Sequence, residues 1–81
     1  MILIDVYVPA VDRVFDFELD ENATTGEITE ELIQKLAEQI NISDKTKEQL
    51  CIYAFYRECI LDEALTLKEQ GIDTGEKLIL L

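Results

Sequence analysis

The sequence predicts an α+β fold in which one main helix packs on one face of a mixed sheet of four to five strands. Three features lead to this prediction: two runs of alternating apolar and polar residues near the amino-terminal end, a middle segment with the apolar spacing of an amphipathic helix, and an almost wholly aliphatic run over residues 77–81. Residues 1–81 are expected to form one domain, because 81 residues are too few for two separate cores.

The first two strands are predicted over residues 2–8 and 14–19. Apolar residues occupy every second position in both runs, which is the period of a strand with one buried face. Pro9 interrupts the pattern between them, because proline cannot donate a hydrogen bond to a central ladder. The two runs are therefore expected to form a hairpin across the connection 9–13.

The main helix is predicted from the segment that follows the hairpin. Thr24 is a suitable N-cap, and Glu27 stands three residues later, which is the spacing of a capping box. The polar residues around Asn41 and Ser43 are expected to end the helix after about four turns. Apolar residues recur along it at spacings of three and four: Ile28, Leu32, Ile33, Leu36, Ala37 and Ile40.

Three more strands are predicted in the second half of the chain. Residues 50–55 are rich in β-forming side chains, residues 58–61 suit a short strand after a turn, and residues 77–81 form the last strand. The intervening residues 62–70 suit a brief helical turn or an irregular crossover. Two glycines before the last strand mark a turn, not a phosphate-binding loop, because a strand follows them where such a loop requires a helix.

A hairpin, a crossing helix and then further strands is the order of the β-grasp fold. In that fold the first and last strands lie parallel to each other at the centre of the sheet, and their aliphatic character agrees with such a position. A ferredoxin-like α+β sandwich is the alternative. It needs a second long helix, however, and residues 62–70 are too short and too poorly patterned to form one.

Composition excludes several classes of function. The net charge of −11 repels nucleic acids and anionic lipid surfaces, although the acids also fit a simple solvated face. The chain has no histidine, and Cys51 and Cys59 fit no zinc or redox spacing, so we expect no catalytic residue, no metal and no cofactor. No apolar run suits direct membrane insertion, and no secretion signal is recognisable, so the chain is expected to be cytoplasmic.

The remaining candidate site is a surface that binds another protein. The prediction assumes that Leu78 and Leu80 face the helix in the last strand. It also assumes that Ile52, Ala54 and Tyr56 face inward in the third strand; the opposite facing, which a shift of one residue would produce, remains open. An apolar patch then covers the uncovered face of the sheet. Its residues are Tyr7, Tyr53, Phe55, Ile79 and Leu81, with Leu3 beside them.

Three runs of residues carry a resemblance to known proteins. They are Ile2-Leu3-Ile4-Asp5-Val6, Phe15-Asp16-Phe17-Glu18-Leu19, and the closing stretch from Leu65 to Leu78, in which Thr-Leu, Gly-Ile, Gly and Leu recur before the last strand. Over its whole length the chain resembles the ubiquitin-like superfamily. Within that superfamily it is similar to the small YukD/EsaB-type proteins of bacterial type VII secretion systems.

The resemblance implies a non-catalytic adaptor or regulatory subunit of a type VII (WXG-type) secretion system, acting by protein–protein docking. It makes a membrane ATPase or channel subunit of that machine the expected partner, which would hold the chain at the periphery of the membrane. A second copy of the chain is another possible occupant of the patch. Because the sequence stops within the last strand, we expect no free carrier tail and no conjugation. The alternative function is a generic acidic ubiquitin-like interaction domain or regulator unrelated to secretion.

Overall fold

The computed structural model describes residues 1–39 and 50–81, and the predicted end of the helix around Asn41 lies outside these ranges. The helix and strands follow the predicted order. Their bounds are β1 (Ile2–Val8), β2 (Arg13–Leu19), α1 (Thr25–Ala37), β3 (Ile52–Ala54), β4 (Cys59–Ile60) and β5 (Lys77–Leu80), with a short 3₁₀ turn at Pro9–Val11 between β1 and β2.

The five strands form one mixed sheet in the order β2-β1-β5-β3-β4. β1 and β5 run parallel as neighbours, and every other pair in the sheet is antiparallel. Because β1 and β5 both have a strand on each side, they are interior strands, which explains their aliphatic sequences. The arrangement confirms the predicted β-grasp fold.

The hairpin closes through a tight connection. The backbone N–H of Asp12 donates to the Pro9 carbonyl over 3.1 Å, and Asp12 has a left-handed backbone with φ of 50°. Aspartate tolerates this conformation better than most residues. β2 begins at Arg13, one residue before the predicted start, because Arg13 still pairs with Val8 of β1.

Helix α1 begins at the predicted N-cap. The Thr24 hydroxyl accepts a hydrogen bond from the Glu27 backbone N–H over 3.2 Å and donates to the Glu27 carboxylate over 3.0 Å. The second bond differs from a standard capping box, in which the carboxylate accepts from the backbone N–H of the cap residue. Ala37, which the apolar spacing assigns to the buried stripe, is exposed at the end of the described helix.

The core lies between α1 and the face of the sheet that the helix covers. Two of its members, Leu67 and Ile72, come from the irregular segment before β5, where the sequence predicts no core positions. The buried hydrophobic residues are Ile4, Val6, Val8, Phe15, Phe17, Leu19, Ile28, Leu32, Leu36, Ile52, Ala54, Leu61, Leu67, Ile72, Leu78 and Leu80.

Residues 62–70 form turns, and the Gln70 backbone N–H donates to the Thr66 carbonyl over 3.2 Å, which closes one helical turn within an otherwise irregular crossover. Both predicted alternatives are therefore correct in part. Gln70 ties this segment to the start of α1. Its amide nitrogen donates to the Thr25 hydroxyl over 2.8 Å, and its amide oxygen accepts from the Asp62 backbone N–H over 2.7 Å. Gly71 and Gly75 then turn the chain into β5, as predicted, and both have positive φ, which glycine adopts at little cost.

Candidate functional site

The face of the sheet opposite α1, here called the outer face, carries the candidate site. Residues of β5 alternate between the two faces. Leu78 and Leu80 are buried against the core, Ile79 is half-buried on the outer face, and Leu81 is exposed just past the end of the strand. The assumed facing of the last strand is therefore confirmed.

The third strand has the facing that places its aromatic residues outward. Ile52 and Ala54 are buried, whereas Tyr53 is half-buried and Phe55 is 48% exposed. The expectation that Tyr56 faces inward is wrong, because its exposed fraction is 66%. β3 ends at Ala54 and a turn follows, so the alternation of a strand no longer applies at residue 56.

Strand register brings apolar side chains together in a line across all five strands. Tyr7 is paired with Val14 on one side and Ile79 on the other, and Tyr53 is paired with Ile79 and Ile60. We call this line the central row; in the order of the strands it consists of Val14, Tyr7, Ile79, Tyr53 and Ile60. With strands about 4.8 Å apart, the row is about 19 Å long.

Val14 and Ile60, the two ends of the central row, are absent from the predicted patch. They are 51% and 62% exposed. The alternation in residues 14–19 places Val14 and Phe15 on different faces of the strand, so the outward direction of Val14 could be read from the sequence. Ile60 lies in a strand of two residues, too short for alternation to show its direction, and only the pairing with Tyr53 places it in the row.

Phe55 and Leu81 lie on opposite sides of the central row. The Phe55 backbone N–H donates to the Lys77 carbonyl, and the Lys77 ammonium lies 5.4 Å from the centroid of the Phe55 ring. On the other side, Leu81 and Cys51 exchange two backbone hydrogen bonds of 3.0 Å. The five predicted patch residues thus share one face, although only Tyr7, Tyr53 and Ile79 belong to the row itself.

Two carboxylates oppose each other beside the row. Asp5 of β1 is directly paired with Asp16 of β2, and both side chains are exposed on the outer face. A hydrogen bond with Asp5, and then the negative charge of Asp5, raise the pKa of Asp16. Like charges at directly opposite positions destabilise a strand pair, so this arrangement opposes folding.

The Tyr7 hydroxyl is held in place at the edge of the patch. It donates to the Asp12 carboxylate over 2.7 Å, and this hydrogen bond is the main reason why the pKa of Tyr7 is raised. The ring therefore keeps a defined orientation on the outer face, with its polar end satisfied within the chain. A preorganised aromatic residue of this kind loses little conformational freedom when a partner binds.

Among residues 1–39 and 50–81, no group of three or more potential ligand side chains is arranged to hold a metal ion. Cys51 and Cys59 are free thiols. No helix within the described part of the chain is long and apolar enough to span a membrane.

Comparisons with known proteins bear on both fold and family. Residues 3–80 match the family model described as "WXG100 protein secretion system (Wss), protein YukD". No curated protein matches the chain.

Solved structures with a similar fold include designed and natural ubiquitin-like proteins. A computational design on the template of human erythrocytic ubiquitin is 25% identical with a TM-score of 0.75, over 100% of this chain and 90% of the design. A second ubiquitin-based design is 21% identical with a TM-score of 0.74, over 99% of this chain and 85% of that one. The ubiquitin-like domain of an Arabidopsis thaliana protein is 20% identical with a TM-score of 0.70, over 99% and 74%.

Proposed function

Because this chain belongs to the YukD family of the WXG100 secretion system, we propose that it is a non-catalytic adaptor or regulatory subunit of that system. It acts by docking a protein partner on the outer face of its sheet. The resemblance noted in the sequence makes a membrane ATPase or channel subunit of the machine the proposed partner. Binding to such a subunit would hold the chain at the cytoplasmic periphery of the membrane.

The central row is the observation that carries this proposal. Apolar side chains follow one another across five strands on a face that α1 does not cover, and three of them are aromatic or β-branched residues at the middle of the sheet. Contiguous apolar patches on small proteins mark interaction sites, and tyrosine and phenylalanine are enriched in them. The surface has the composition of an interface and lacks an internal cover among the described elements.

Docking, not conjugation, is the proposed mode of action. Residues up to Leu81 take part in the sheet, and the backbone of Leu81 is bonded to Cys51 in both directions. The resemblance noted in the sequence supports this mode, because it implies docking without conjugation. Intact-mass spectrometry of the protein isolated from cells should find no covalent protein adduct, and an isopeptide-linked species would contradict this mode.

The docking proposal is tested with the double variant Tyr53→Ser/Phe55→Ser. We expect binding to the purified cytoplasmic domains of the secretion ATPase or channel subunit, measured by biolayer interferometry, to weaken at least tenfold, because loss of two aromatic anchors typically costs more than about 1.4 kcal/mol. Circular dichroism should show an unchanged fold, since neither side chain is fully buried.

Leu65→Ser is the matched control, because Leu65 is an exposed apolar residue beside the start of α1, away from the outer face. It should bind as the wild type does. Equal loss of binding in Leu65→Ser and in Tyr53→Ser/Phe55→Ser would contradict docking through the outer face. Unchanged binding in the double variant would contradict it as well. Binding only to basic nucleic-acid-binding proteins, with no secretion subunit bound, would favour the generic interaction domain.

A further inference from the structure

We infer that the partner of the outer face is a cationic apolar segment, whose arginine or lysine side chain is received by Asp5 and Asp16 while its apolar side chains cover the central row. The inference rests on the proposed docking function and adds the chemistry of the occupant. The charges that share this face of the sheet support it.

The opposed carboxylates are the first observation. Asp5 and Asp16 are direct cross-strand neighbours, so their β-carbons lie about 5 Å apart. Within residues 1–39 and 50–81, neither side chain forms an ion pair. A cation placed between the two would replace their repulsion by attraction. An arginine suits the position best, because its planar guanidinium has donors for two carboxylates at once.

The other charged groups of the outer face do not neutralise the negative charge of Asp5 and Asp16. β2 adds Glu18, which is paired with Leu3, while β3 and β4 present no charged side chain to this face. Lys77 of β5 is the neighbour of Asp5 in the register, but its ammonium lies over the Phe55 ring. Among the described residues, the carboxylates of Asp5, Asp16 and Glu18 therefore share the face with the Lys77 ammonium, and the Asp12 carboxylate at the Tyr7 hydroxyl adds a further negative charge at its edge.

The same charges argue against a second copy of the chain as the occupant. Face-to-face association would bring together two surfaces with an excess of carboxylates, each on a chain of net charge −11. Like-charge juxtaposition across an interface costs free energy and suppresses such pairing. A cationic partner would instead be attracted by the carboxylates of the outer face. The net negative charge of the whole protein would also steer it toward this surface.

Protonation of Asp16 should make binding of the cationic partner depend on pH. A bound cation favours the ionised carboxylate, so protonation competes with binding. Because the pKa of Asp16 is raised, this competition extends to higher pH than it would for an ordinary aspartate. Affinity should therefore increase as the pH rises through the pKa of Asp16, and this increase should be smaller when the two carboxylates are removed.

The test uses two synthetic peptides as probes with the full 81-residue protein. Each is an alanine-rich helix of about 14 residues, long enough at 1.5 Å per residue to cross the central row, with leucines on one side. One peptide carries two arginines beside the leucines, and the other carries two glutamates. Binding is followed through backbone amide shifts in NMR titrations, which also report whether each variant is folded.

We expect the arginine peptide to shift amides of β1, β5 and β3, and the glutamate peptide to leave them unchanged. Asp5→Asn/Asp16→Asn should weaken arginine-peptide binding about five- to tenfold and reduce its dependence on pH between about 4 and 7. Glu30→Gln/Glu63→Gln removes the same charge from exposed positions outside the outer face and should bind as the wild type does.

The outcomes separate this inference from the proposed function. If Tyr53→Ser/Phe55→Ser abolishes binding of the secretion subunit while Asp5→Asn/Asp16→Asn binds it as the wild type does, docking stands and recognition of a cation is wrong. Equal binding of the two peptides, or shifts confined to α1, would also overturn the inference. Concentration-dependent shifts of the same amides without peptide would identify a second copy as the occupant.

Discussion

The two faces of the sheet are built from alternate residues of the same strands, yet they differ in kind. In β1, β5 and β3 the inner face is aliphatic, and residues such as Val6 and Leu78 are 0% exposed beneath α1; its aromatic members, Phe15 and Phe17, lie in β2. On the outer face, Tyr7 of β1, Ile79 of β5 and Tyr53 of β3 lie side by side. Packing against a helix favours compact aliphatic side chains that interdigitate, whereas aromatic residues are enriched where a protein meets another protein.

Charge separates the two faces as well. Within residues 1–39 and 50–81 the buried polar residues are Thr25 and Thr29, and both hydroxyls have hydrogen-bond partners. On the outer face, Asp5 and Asp16 are set against each other at a cost to folding. The inner face is thus organised for stability, whereas the outer face retains an opposed carboxylate pair that the fold alone does not need.

Leu78→Ala and Ile79→Ala test this comparison most strongly. The two residues are adjacent in β5 but face opposite sides. Leu78→Ala should lower the free energy of unfolding by about 2–5 kcal/mol, because it leaves a cavity in the core. Ile79→Ala should cost no more than about half as much and should weaken partner binding instead. Urea denaturation measures the free energy of unfolding of both variants. Equal destabilisation would mean that the outer face is part of the core.

Gln70→Glu probes how the inner face is kept covered. The substitution removes the amide donor to the Thr25 hydroxyl at the start of α1 while keeping the size of the side chain. We expect a loss of about 1–2 kcal/mol in the free energy of unfolding, because a partly buried hydrogen bond is lost. Gln34→Glu makes the same change at an exposed position of α1 and should alter stability by less than about 0.5 kcal/mol. A loss of equal size in Gln34→Glu would show that added charge, not the lost bond, is the cause.

Asp16→Asn is expected to have the smallest effect, and one of opposite sign. Since the pKa of Asp16 is raised by Asp5, the folded state binds this proton more tightly than the unfolded state does, so the contribution of Asp16 to stability grows as the pH falls toward its unfolded pKa. The variant should therefore be slightly more stable than the wild type at neutral pH, and the difference should disappear in acid.

Thermal unfolding measured at several pH values checks this prediction, with Glu18→Gln on the same strand as the control. Glu21, whose pKa is lowered by a backbone hydrogen bond and by the terminal amine, contributes with the opposite sign, but equally in all three proteins. A variant that is less stable than the wild type at neutral pH would mean that the carboxylate pair stabilises the fold.

Most of the fold could be read from the sequence because its periodicities are clear. Alternation placed β1 at its observed bounds, and the Thr24–Glu27 spacing located the start of α1. The family was also recognisable, because the three runs that carry the resemblance, residues 2–6, 15–19 and 65–78, lie within residues 3–80 that match YukD, apart from Ile2. The core positions Leu67 and Ile72 were not predicted, because an irregular segment has no period from which a buried face can be read.

The candidate site was less predictable for a related reason. Tyr56 was placed inward by extending the alternation of β3 past its end, where a turn redirects the chain. Ile60 lies in a strand of two residues, which is too short to show alternation. Asp5 and Asp16 each look like ordinary solvated acids in the sequence, and only the pairing of β1 with β2 shows that they oppose each other.

The fold class, the order of the elements and the family follow from the amino-acid sequence, because these depend on local periods and on runs of residues within single segments. The central row and the acidic pair beside it follow only from the way the strands pair. Both depend on register between strands that are up to 72 residues apart, as Tyr7 and Ile79 are. A period of two shows that a residue alternates, but only the pairing of strands shows which residues become neighbours on one face.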